Sequence, residues 1–222
     1  GKLPPALPVP VPELPTGDIP SEPTIPSAAA LQRRLSAADH AVLEREGVLL
    51  IKGLLSKKEA REVLLSFGAN KKLLDTKPEQ KLRASTGSGY GGGYTTIVKQ
   101  PPALAAACDA LRGWLTPPPD DSQDKCLLLR YGEGGVNWAH QDQAQSPWQA
   151  VLLLNPPTEY EGGALYIVDA AEEPLKRKEV PFESEGDVVV FAANSNAPGG
   201  RQWYHGMSEV RRGRRFAVGL FQ

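Results

Sequence analysis

The strongest constraint on the fold is a change of texture at Lys125. From there onward the chain reads as seven short runs: LLLRYG, NWAHQD, WQAVLLLN, GALYIVD, EVPF, DVVVFAAN and RRFAVGLF. Most are separated by Gly, Pro or Asn, residues that end strands and turn the chain. Seven or eight short strands that close on themselves predict a jelly roll, also called a double-stranded β-helix.

Upstream the texture is helical. AALQRRL and SAADHAVLEREG carry helix signals, with Ser36 as N-cap and Gly47 as stop. Val48 to Ile51 reads as a short strand, and Ser56 to Phe67 as an amphipathic helix with Val63, Leu64, Leu65 and Phe67 on its apolar side. A glycine-rich hairpin, STGSGYGGGYTTIVK, and a third helix over Pro102 to Leu115 follow. Helices first and strands later predict an α+β domain over 27–222. Its jelly-roll core spans 125–222 and its supporting helices 27–116. Residues 1–26 are proline-rich and cannot be helical. They read as an extended arm or linker; a strap lying on the domain and a docking segment for a proline-reading partner are the alternatives.

Composition removes some functions. A formal net charge of −1 over 222 residues gives no global basic field, so nucleic-acid binding would rest on a local patch. Two cysteines, Cys108 and Cys126, are too few for a disulfide framework and read as buried thiols in a reducing compartment. No apolar run is long enough to span a bilayer, and no signal-peptide pattern opens the chain. The expectation is an intracellular protein of cytoplasm or nucleus, neither secreted nor membrane-bound.

The chemistry concentrates in His140-Gln141-Asp142, with His205 65 residues after His140 and Arg215 ten residues beyond that. Residues i and i+2 of a strand share a face, so His140 and Asp142 can hold one ion while Gln141 points away. Trp138 has the same parity and is expected to wall the site. Two imidazoles and one carboxylate leave three positions open on a mononuclear ferrous ion. His205 completes that set from a distant strand, brought back across the barrel mouth. The far carboxylate of an oxo-diacid cosubstrate needs a fixed cation, and a guanidinium offers a permanent, bidentate one. Arg215 is the candidate, with Arg211, Arg212 and Arg214 as rivals, since parity does not say which face of the strand is inside. His40, the third histidine, falls in a helical stretch and reads as a capped or surface histidine rather than a ligand.

These residues also carry a resemblance. HGMSEVRRGRRF is similar to the closing motif of Fe(II)/2-oxoglutarate-dependent dioxygenases. Tyr160-Glu161-Gly162-Gly163-Ala164-Leu165 resembles the Gly-Gly-x-Leu strand entry of their prolyl-hydroxylase-like branch. Arg130-Tyr131 resembles the Arg-Tyr of AlkB-type demethylases, although Leu129 stands where those enzymes carry Asn. The catalytic half, from about Leu127 to Phe221, most resembles a mainly bacterial family of iron/2-oxoglutarate oxygenases predicted to act on damaged or methylated nucleic acid. The resemblance is weak over 80–115 and absent from the arm.

The resemblance implies Fe(II) on His140, Asp142 and His205, with O2 and the cosubstrate 2-oxoglutarate completing the chemistry. It implies 2-oxoglutarate held by Arg215 and Tyr131. It implies hydroxylation or demethylation of a C–H or N-methyl group on a modified base of DNA or RNA. Arg83, Tyr90, Tyr94, Trp138 and Trp203 are then the candidate substrate contacts, with Lys99 and Tyr204 nearby. Aromatic faces stack on unpaired bases and cations hold phosphate; packing within a glycine-rich hairpin is the plainer role for Tyr90 and Tyr94. A protein or peptide hydroxylase of prolyl type is the alternative. A binding module with a relic barrel is the third reading, opposed by the intact ligand set.

Overall fold

The structure is a computed structural model and describes residues 11–18, 25–32, 34–75, 80–83, 90–119, 125–142, 146–172, 174–198 and 201–222. Four helices precede or interrupt the first strands: α1 (Ala28–Gln32), α2 (Ala37–Glu46), α3 (Lys57–Ala69) and α4 (Pro102–Trp114). The starts of α2 and α3 are written in the sequence. Ser36 and Ser56 each accept from the third helical N–H, and Asp39 and Glu59 each reach back to the serine N–H. These reciprocal capping boxes satisfy donors that a helix end leaves unpaired. Gly47 closes α2 with φ 68°, a left-handed conformation that glycine adopts without a Cβ penalty.

Among the described residues twelve strands form two antiparallel sheets. The larger runs β1 (Val48–Ile51), β10 (Val188–Ala192), β6 (Trp148–Leu153), β12 (Arg215–Leu220), β4 (Cys126–Tyr131), β3 (Tyr90–Ile97), β2 (Gln80–Arg83). The smaller runs β5 (Gly135–His140), β11 (Trp203–Gly213), β8 (Leu165–Asp169), β9 (Arg177–Val180), and β7 (Tyr160–Gly162) pairs with β11. From β4 to β6 and again from β9 to β12 successive strands alternate between the sheets, while β7, β8 and β9 follow one another in the smaller one. That interleaving is the jelly roll. β6, β10 and β12 are buried along their whole length. One face of each lines the barrel and the other meets the core shared with α3 and α4.

The EVPF run contributes only its front to β9, which ends at Val180. β11, at 11 residues the longest strand, lies outside the seven expected runs. Of the proline-rich arm, residues 11–18 have no regular structure and lie against the domain. The Pro12 carbonyl accepts from Arg130 Nη1 at 3.1 Å, and Leu14 packs against the core. Residues 1–10 and 19–24 lie outside the described residues. Cys108 and Cys126 are buried thiols that form no disulfide, and their sulfurs meet in a hydrogen bond at 3.8 Å. Among the described residues no helix is long and apolar enough to cross a membrane.

Candidate metal centre and cosubstrate pocket

His140 is the last residue of β5, and it sits directly opposite His205 in the β5–β11 ladder. Asp142 lies two residues past the strand end, its N–H donating to the Ala193 carbonyl. The backbone thereby brings three side chains to one point. Asp142 Oδ1 is 3.5 Å from His140 Nε2, and Asp142 Oδ2 is 3.2 Å from His205 Nε2. One potential ligand atom from each residue lies within 4.8 Å of the others, the only such cluster among the described residues. The imidazoles are 4.3 Å apart between centroids, and Phe191 backs His205 at 4.6 Å.

Burial works to raise the Asp142 carboxyl, but hydrogen bonds and charge from both histidines prevail and hold it far below the usual carboxylate range. Burial pushes His205 down, toward the neutral imidazole a metal requires. His140 is also buried, but Asp142 and the Trp138 carbonyl lift it above its ordinary value. That carbonyl lies 2.7 Å from His140 Nδ1. A carbonyl can only accept, so Nδ1 carries the hydrogen and Nε2 presents its lone pair.

Trp138 departs from the parity expectation. Two steps along β11, from His205 to Met207, face three steps along β5, from His140 to Asn137. This β-bulge at Trp138 and Ala139 shifts the alternation. Asn137 lines the cavity with His140, while Trp138 is 40% exposed and outside the lining. Trp203 also departs from expectation. It is buried, and its ring packs where a Cβ on Gly47 would stand, at 2.6 Å. It lines a separate cavity with Ile167 and Asp169, because two residues of strand advance carry it roughly 6.6 Å past His205.

The arginine question has a structural answer. Arg211, Arg212 and Arg214 are exposed, whereas Arg215 is 2% exposed and lines the same cavity as the triad. Its guanidinium lies 5.3 Å from the Phe182 ring and 5.9 Å from the Tyr131 ring. No described carboxylate pairs with it, and its Nε is buried without a partner. Burial raises the Tyr131 and Tyr160 phenols, a rise that Arg215 partly offsets. Both remain O–H donors beside a cation that lacks an anion.

Tyr94 and Tyr131 line this cavity of about 240 Å³, as do Gln149 and Gln222. Arg83 and Tyr90 pair in the β2–β3 ladder, but their side chains lie outside the described residues. Lys99 is exposed beyond β3, and Tyr204 is half-buried. Sequence reasoning missed Tyr160, Phe182, Phe191 and Gln149. Only Tyr160 had a visible signal, as the residue that opens the Gly-Gly motif.

Two imidazoles and an ionised carboxylate on one side of a cavity fit a ferrous ion. A buried guanidinium without a carboxylate fits the far end of a dicarboxylate. Residues 106–222 match the family described as an oxygenase catalysing oxidative methylation of damaged DNA. The chain belongs to this oxygenase family. Uncharacterised proteins from two strains of Mycobacterium tuberculosis are each 30% identical over 124 residues. That match covers 50% of this chain and 53% of theirs, so the chain spans about half the length of these curated relatives.

The fold of this oxygenase recurs in solved structures. A prolyl hydroxylase from Trichoplax adhaerens, in complex with a peptide fragment of the hypoxia inducible factor oxygen degradation domain, has a TM-score of 0.61 at 15% identity, over 86% of this chain and 89% of that one. A Pseudomonas putida prolyl-4-hydroxylase has a TM-score of 0.54 at 18% identity, over 84% and 97%. An iron/2-oxoglutarate family oxidoreductase from Burkholderia pseudomallei has 0.54 at 15%, over 84% and 90%. At 15–18% identity these likenesses show the fold, and His140, Asp142 and His205 are the cluster in it that could hold a metal ion.

Proposed function

We propose that this oxygenase hydroxylates or demethylates a C–H or N-methyl group on a modified nucleic-acid base. One observation carries the substrate class: the matched family is described by damaged DNA, and the match spans 106–222, which includes His140, Asp142, His205 and Arg215. In this reading His140, Asp142 and His205 hold the iron. Bound iron, with 2-oxoglutarate and O2, supplies the oxidising chemistry.

The remaining steps belong to the chain. The Trp138 carbonyl fixes the His140 tautomer and ring orientation. Arg215, gripped between Phe182 and Tyr131, holds the distal carboxylate of 2-oxoglutarate. Tyr131, kept protonated by burial, donates a hydrogen bond to it. Arg83, Tyr90, Tyr94 and Trp138 remain the proposed contacts for the nucleic acid, whereas Trp203 packs against Gly47.

The test is succinate formation with N-methylated oligonucleotides, proline-containing peptides and neither. Methylated oligonucleotide should stimulate turnover, and His140→Ala should abolish it. Stimulation by peptide alone would move the substrate to protein. Wild-type turnover in the alanine variant would remove the metal assignment.

A further inference from the structure

Gln149 is a polar side chain that the folded chain leaves unsatisfied at the metal end of the cavity. It is 1% exposed and lines the same cavity as the triad. Its Oε1 is buried without a hydrogen-bond partner. A buried amide oxygen without a partner has given up its hydration and recovered no hydrogen bond for it. Such a group persists where a ligand completes it.

Register locates the missing partner. In the β6–β12 ladder Leu153 faces Ala217 and Val151 faces Gly219, so Arg215 is level with Asn155. Gln149 lies six residues from that level, roughly 20 Å of strand. It pairs instead with Phe191, whose ring backs His205. Gln149 therefore serves the end where the triad sits, not the end where Arg215 sits. 2-Oxoglutarate carries no N–H or O–H donor when ionised, and its anchor is at the far end. A donor borne by the substrate would complete Gln149.

We infer that Gln149 is a specificity-determining residue that hydrogen-bonds the polar edge of the target base, accepting from an exocyclic amino group such as that of adenine or cytosine. A carboxamide sets an acceptor and a donor side by side, which is how glutamine and asparagine read adenine. Asn137 lines the same cavity and adds a second carboxamide. This assignment rests on the nucleic-acid reading above.

The experiment compares wild type with Gln149→Met, both loaded with Ni(II) and 2-oxoglutarate so that binding is read without turnover. The probes are two single-stranded oligonucleotides. One carries an N-methylated adenine, and the other an N-methylated purine lacking the amino group. Wild type should prefer the amino-bearing strand about tenfold or more by fluorescence anisotropy, because a site built to hydrogen-bond a group rejects the analogue without it. Gln149→Met should reduce that preference to about twofold or less. Its metal-free melting temperature should equal or exceed that of wild type, since an unpaired amide has been replaced by an apolar chain of similar volume. Gln149→Leu serves as a second apolar replacement should the methionine variant not fold.

Equal discrimination by wild type and variant overturns the assignment and leaves the nucleic-acid reading standing; it is also the result expected if metal-bound water were the partner. Failure of wild type to bind either oligonucleotide overturns both. A fall in metal-free melting temperature for both variants would make Gln149 a structural residue and overturn the assignment.

Discussion

A β-carbon on Gly163 would stand 3.0 Å from Cδ of Arg215. The second glycine of the Gly-Gly motif is thus an absence of volume that lets a buried guanidinium reach the cavity. Its φ of 64° adds a backbone reason for glycine. Gly163→Ala should cost about 1–2 kcal/mol in left-handed strain and weaken 2-oxoglutarate binding as well. Gly53→Ala is the control, with φ 57° and nothing within 4 Å of its added carbon. It should show the strain alone. Chemical denaturation and 2-oxoglutarate titration separate the two effects.

Arg215→Lys keeps the charge and loses the planar fork. The Arg215 guanidinium lies within cation–π range of the Phe182 and Tyr131 rings, and a lysine ammonium cannot offer the same planar fork from that position. The dissociation constant for 2-oxoglutarate should rise about tenfold or more by calorimetry on the Mn(II)-loaded protein, a loss of about 1.4 kcal/mol. An unchanged constant would remove Arg215 from the site.

Metal loading should stabilise the fold through the triad. At a hundredfold excess over its dissociation constant, Mn(II) should add about 2.7 kcal/mol, seen as a higher melting temperature. Asp142→Asn removes the charge between His140 and His205 and should abolish most of that gain. Chelator should return wild type to the metal-free value.

The proline-rich strap can be loosened at one position. A β-carbon on Gly68 would meet the Pro15 carbonyl at 2.1 Å, and a backbone atom cannot be rotated aside. Gly68→Ala should displace residues 11–18 from α3, take Pro12 from Arg130, and accelerate limited proteolysis near the N-terminus.

Glu46 offers a pH-dependent check. Hydrogen bonds from Lys178 and then Arg45 lower its carboxyl to about 2. Its folded pKa is depressed, so its contribution is present above the unfolded value and lost as pH falls through the folded one. Carboxyl NMR titration should find Glu46 still ionised at pH 3 in wild type and returned toward the ordinary carboxylate range in Lys178→Met.

Much of this was readable from local chemistry. Ser36 and Ser56 announce their helices because capping needs only residues three apart. The alternating and continuous apolar runs announce β4, β6, β8, β10 and β12. β11 was hidden because half of WYHGMSEVRRG is polar, and its Glu209, Arg211 and Arg212 face solvent. The parity of Trp138 failed because a bulge depends on the partner strand, which one segment cannot reveal. Gln149 was unreadable for a related reason. A glutamine in an apolar strand becomes informative only when its neighbours are seen to offer it nothing.

His205 and Arg215 stand on consecutive strands of the two different sheets, joined near Gly213, whose φ is 82° and whose added β-carbon would meet the Glu159 carbonyl. In the proposed reading, one crossing from sheet to sheet sets the span between the metal and the cation. The crossing then acts as a ruler for the cosubstrate: a dicarboxylate one carbon shorter cannot engage both ends, and selection by length needs no further contact.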